Sequence, residues 1–170
     1  MPASFLLRLK AFLLDYLLIL IYLAMLFIIA LFLVPSIRLL FQNSLIQAQI
    51  IGFILITLPV SLYFIITDSC IGKQSFGKKR AKIRVLNQKG ESASVLQMSI
   101  RTIIKFLPWE LSHFLAYRLV DLGDAAIPFQ YSLLGVLIYT LMFSYILSAL
   151  FTKKKQSLYD IISKTQVVKL

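Results

Sequence analysis

Glu110 and His113 are the residues whose types and spacing first point to chemistry. Three apart on a helix, they share a face. Imidazole titrates near neutrality unaided, and removal from water pushes a carboxyl up toward that range. Set together in an apolar segment, the pair could pass a proton or hold a cation. The competing reading is buried polar glue, each side chain satisfying the other and a neighbouring helix. Asp15 is a second candidate, seven residues after Arg8 and so two turns along one helix face. An acid inside a membrane span costs about 2.5–3.5 kcal/mol on insertion scales and usually finds a partner. Lying about 5 Å into an apolar stretch, Asp15 could bind a proton or cation at the mouth of a path. It could equally be half of a structural ion pair, balanced by Arg8, Lys105 or Arg101.

Other chemistries lack their parts. Glu-x-x-His is half of a di-iron carboxylate motif, but His113 is the only histidine and Glu91 and Glu110 are the only glutamates. A zinc site is equally short of ligands, so neither a metal nor a cofactor is expected. With one histidine and one cysteine, Cys70, no nucleophile, base and orienting group can be assembled, and an enzyme is not expected. Gly72–Lys79 (GKQSFGKK) is a near miss for the phosphate-binding P-loop, which requires Ser or Thr where Lys79 stands and a strand where an apolar helix precedes. The plainer reading is a basic turn leaving the bilayer, with Lys73, Lys78, Lys79 and Arg80 on anionic head groups, each contributing about 1 kcal/mol. Pro59 and Pro108 each remove a helical donor and free a carbonyl, either for an ion or merely as a kink.

The elements that must position these residues follow from composition. Of 170 residues, 59% are hydrophobic and 15% charged, against about 45–50% and about 25% in soluble domains. A soluble globule of this size could not bury so much apolar surface, so lipid must solvate the excess. Disorder and a disulfide-stapled fold are excluded. The net charge of +11 would suggest nucleic acid in a soluble protein. Here the expected partner is the lipid bilayer with its anionic head groups, and no nucleic acid.

Three stretches, Phe12–Val34, Gln49–Thr67 and Phe129–Phe151, are long enough to cross about 30 Å of hydrocarbon. A fourth, Ile103–Val120, is interrupted by Lys105, Glu110, His113 and Arg118. Charge decides its reading, because short cytoplasmic loops concentrate Lys and Arg. Arg8 and Lys10, the insert at 68–102 and the tail at 152–170 are basic, whereas the first loop holds only Arg38. If insert and tail lie on one side, the chain between them crosses an even number of times, and Ile103–Val120 must span. Glu110 and His113 would then sit about 10 and 15 Å from its cytoplasmic end, near the midplane. The expected fold is one all-α membrane domain over residues 1–170: a four-helix transmembrane bundle, multi-pass, with both termini cytoplasmic. Beneath it, KIRVLNQKGESASV reads as a small β hairpin turning at Lys89-Gly90. Gln166–Lys169, after a helical turn at Ser157–Ser163, is a further β-branched run expected to meet it.

Three stretches taken together resemble the RDD family of membrane proteins: RLKAFLLDYLL, with Arg8 and Asp15; TDSCIGKQSFGKKRAKIRVLNQKGESASVLQMSIRTIIK, with Gly72, Gly77 and Lys78; and QSLYDIISKTQVV, with Asp160. The resemblance runs in order over nearly the whole chain. It implies a bacterial inner-membrane domain suspected of small-solute or ion transport. The family's named arginine and first aspartate carry over to Arg8 and Asp15, and its second to Asp160 in preference to Asp68. Ser75 and Phe76 stand where many members have Thr-Pro or Thr-Leu. Two functional expectations follow. One is transport of a cation, proton or small solute through Asp15, Glu110 and His113, in a homo-oligomer or with another membrane subunit because four helices hardly enclose a path. The alternative is a non-transporting scaffold whose basic insert recruits anionic lipid or a partner protein.

Overall fold

The computed structural model describes residues 1–34, 36, 41 and 44–170; Arg38, expected on an external loop, lies outside the described residues. Helix α1 (Phe5–Ile28) starts at Ser4, whose hydroxyl accepts from the Leu7 amide at 3.4 Å, and runs into a π-helical turn at Ile29–Leu33. It begins seven residues before the apolar stretch, because a serine cap satisfies an orphan amide at the polar end. Arg8 and Asp15 therefore share one helix. Helix α2 (Leu45–Gly52) is capped by Ser44 and passes through a π-helical turn, Phe53–Thr57, into α3 (Leu58–Asp68), which carries Pro59 in its first turn. After the short helix α4 (Phe76–Arg80) and strand β1 (Ile83–Asn87) comes α5 (Val95–Leu122), opened by a capping box of Ser94 with Gln97. Helices α6 (Phe129–Phe151) and α7 (Leu158–Ile162) and strand β2 (Thr165–Lys169) complete the chain.

Among the described residues three rods are long and apolar enough to cross a bilayer: Phe5–Leu33, Leu45–Asp68 and Phe129–Phe151. Their outer faces expose Phe32, Phe129 and Phe151, each more than three-quarters accessible. Contiguous surface of that kind calls for lipid. These helices mark a membrane protein. At 28 residues α5 is about 42 Å long, ample for a crossing, but its charges keep it out of the apolar class. It is nonetheless the central helix, packed on α2, α3, α6 and α7. Helix α1 packs chiefly on α4.

The expected hairpin does not form. β1 pairs antiparallel with β2, Val85 opposite Val167 and Asn87 opposite Thr165. The chain after Gly90 keeps only one isolated bridge, Leu86 to Ser92. Ser94 is already committed to capping α5, so too few residues remain for a returning strand. The two β-branched runs therefore meet as a small two-stranded sheet, and Met1–Ala3 lies along β2, with the Ala3 amide donating to Val167 O at 2.9 Å. The best-packed core sits at this end, where Ala3, Ala11, Ile83, Val85, Met98 and Val167 are buried together.

Candidate functional site

Three buried carboxylates organise the sheet end, and their partners differ from those expected. Asp15 meets none of Arg8, Lys105 or Arg101 in an ion pair. Its oxygens accept from Tyr63 Oη (2.9 Å), Ser75 Oγ (2.7 Å) and the Gly77 amide (2.7 Å). Two of these donors stand at the start of α4, so Asp15 is the acceptor that docks α4 against α1. The docking leaves no room at Gly77: a Cβ there would lie 2.0 Å from Ala11 O. Gly72 is equally confined, its missing Cβ 2.6 Å from Thr67 Cα. The two motif glycines thus mark close backbone approaches.

Asp68 accepts from the Ser75 amide (2.9 Å) and pairs with Lys78 Nζ at 2.6 Å. Lys78 is accordingly buried, a correction to its expected place among the lipid-facing lysines, whereas Lys73, Lys79 and Arg80 are exposed. A buried carboxylate beside an ammonium outcompetes a head group in water. Asp160 holds two guanidinium groups, Arg8 and Arg101, each at 2.8 Å. The same carboxylate closes a capping box at the Ser157 amide. Arg8 also donates to Ala3 O and Val167 O, tying α1 to both chain ends. Burial alone would push the Asp160 carboxyl up. Arg101, then Arg8, and the hydrogen bonds from both hold it below the usual carboxylate range.

Farther along α5, Glu110 accepts a hydrogen bond from Thr57 Oγ1 across the helix interface. His113 Nδ1 lies 3.8 Å from Glu110 Oε1, within ion-pair reach but too far for a hydrogen bond. Its ring meets Trp109 edge-on at 4.6 Å. Thr57 closes the π-helical turn that precedes α3, and such turns concentrate at functional sites. Sequence reasoning passed over Thr57, and nothing about a threonine in an apolar helix singles it out.

The prolines offered a signal that could have been used. Each lacks the amide that would serve the carbonyl four residues back, and in both cases a tyrosine from another helix serves it. Tyr22 Oη donates to Leu55 O (2.6 Å) opposite Pro59, and Tyr145 Oη to Ile104 O (2.7 Å) opposite Pro108. Those carbonyls are occupied by protein donors.

Between α1, α5, α6 and α7 lies a cavity of about 520 Å³, with Arg8, Lys78, Arg101 and Lys105 in its lining. A small pocket of about 70 Å³ adjoins it and reaches Thr57. The two share four lining residues, Phe12, Phe64, Phe106 and Trp109, an aromatic partition between the basic end and the Thr57–Glu110 contact. Of the expected site residues, Arg8, Asp15, Lys78, Arg101 and Lys105 meet around the large cavity, while Glu110 and His113 stand beyond the partition.

A family model described as "RDD family" matches residues 2–164. No curated protein and no solved structure matches the chain.

Proposed function

The chain belongs to the RDD family, and from that premise we propose that it crosses the bacterial inner membrane four times and passes a proton, a small cation or a small solute along α5. The three long apolar rods supply three crossings, and Ile103–Val120 of α5 supplies the fourth. Both termini, the basic insert and the tail face the cytoplasm, on the positive-inside bias. Helix α5 packs against neighbours along its length, which suits a crossing helix that carries polar residues.

The single observation that carries the reading is the Glu110 contact. A carboxylate near the middle of the bundle accepts from Thr57 on a second helix, has an imidazole at 3.8 Å, and stands one aromatic layer from a cavity that reaches the basic end. A group so placed can take a proton from one side and release it to the other if the partition rearranges. Asp15, with three neutral donors on it, acts in this reading as a structural acceptor.

Reconstitution tests it. Liposomes carrying the protein and a trapped pH dye should show proton movement on imposing an alkali-cation gradient. Glu110→Gln should reduce the rate to that of empty liposomes while inserting normally. Wild-type flux no greater than that of empty liposomes, for any alkali cation, overturns the proposal.

A further inference from the structure

We propose that the 520 Å³ cavity binds an anionic amphiphile, its negative head group on the Lys105 ammonium and its acyl chain along Leu9, Phe106, Met142 and Ile146. The volume falls in the range of about 300–1,000 Å³ typical of small-molecule sites. Charge accounting then selects the ligand. Four cationic side chains line the cavity. Asp160 takes Arg8 and Arg101, and Asp68 takes Lys78. Asp15 also lines the cavity, but its oxygens are held by Tyr63, Ser75 and Gly77. Four cations against three carboxylates leave one positive charge, which one negative charge would complete.

Lys105 is where that charge is least satisfied. Among the described residues its Nζ makes no hydrogen bond and no ion pair. Three rings lie about it, Phe64 at 4.0 Å, Phe106 at 5.2 Å and Phe12 at 6.0 Å. Ring faces attract the charge but accept none of the three N–H donors in the ordinary sense. An ammonium in an apolar site is stabilised by a hydrogen-bonding anion. Because the rest of the lining is largely apolar, the anion should carry a hydrocarbon tail. Binding here requires no flux, so this inference stands or falls apart from the proton path.

Trp109, the only tryptophan, lines the cavity and reports on it. The full chain, purified in non-ionic detergent at pH 6, is titrated with a long-chain alkyl sulfonic acid brominated in mid-chain, and Trp109 quenching is followed. Saturable quenching is expected. The matched brominated alcohol should quench only linearly, by collision. Lys105→Met should weaken the acid at least about tenfold, the loss of one charge-assisted contact, and Lys105→Arg should retain it. Saturable quenching by brominated phosphatidylglycerol that displaces the acid would assign the site to membrane lipid; its absence would assign it to a free amphiphile. Equal saturable quenching by the alcohol, or unsaturable quenching by both, overturns the proposal on the wild-type protein alone. Unchanged affinity in Lys105→Met overturns the role of the lysine.

Discussion

At the residue scale, the donors that matter most are those with no alternative partner. Pro108 cannot serve Ile104 O, and Tyr145 is the group that does. Tyr145→Phe keeps the ring and its edge-on packing against Tyr159 but leaves a carbonyl unmet, at a cost of about 1–3 kcal/mol. The mutant's thermal midpoint in detergent should fall, whereas Tyr139→Phe, an exposed position, should leave it nearly unmoved. Equal midpoints would mean that water replaces the hydroxyl. Asp160 carries a pH signature as well. Its folded value is depressed by Arg101 and Arg8, so its contribution is complete above the unfolded value of about 4. It is lost as pH falls through the lower folded value. Asp160→Asn should therefore lose about 3–5 kcal/mol at neutral pH, leaving two buried guanidinium groups short of a partner, and should lack the acid-limb slope of the wild type. Thermal melts from pH 7 to pH 3 measure both, and parallel acid limbs would contradict the assignment.

At the element scale, the short helix α4 depends on α1. It has five residues, too few to stand alone, and is held by Asp15 through Ser75 and Gly77. Gly77→Ala places a methyl group 2.0 Å from Ala11 O, so α4 must lift and release the Asp15 contacts. A loss of about 3 kcal/mol, the upper range for overpacking, should appear as faster proteolysis within the insert. Undiminished resistance would show that the backbone yields without cost. The signals for this docking were present in the sequence: Asp15, Gly77 and Arg8 stand out because charge and glycine are rare beside such apolar runs. The hairpin illustrates the opposite case. Its alternating residues and turn glycine satisfied the local rule, yet Ser94 caps α5 and β1 turns to β2, nearly eighty residues away. Local pattern identified the strand; only tertiary contact could choose its partner. Thr57 and the two tyrosines were equally hidden, since a hydroxyl in an apolar helix acquires meaning only from the carbonyl or carboxylate opposite.

At the scale of the whole molecule, the question is which side of the membrane each loop occupies, and Cys70 makes the answer measurable. It is the only cysteine, it is exposed, and it sits in the basic insert. Three long helices are apolar enough to cross by composition alone, whereas Lys105, Glu110, His113 and Arg118 keep α5 out of that class. Parity is the better guide: if the insert and the Lys153–Lys155 tail share a side, α5 and α6 must both cross between them, which sends the Gly123 turn to the other face. An impermeant maleimide applied to intact spheroplasts should therefore leave Cys70 unlabelled. In a Cys70→Ser background it should label Gly123→Cys and spare Lys154→Cys. Gly123 suits the probe because a side chain there meets nothing within 4 Å, although a cysteine at its positive φ of 56° strains the turn. Protection of Gly123→Cys together with labelling of Lys154→Cys would leave α6 as the single crossing between insert and tail and make α5 a surface helix. Glu110 and His113 would then meet water, where a proton held between them exchanges with solvent and carries nothing across.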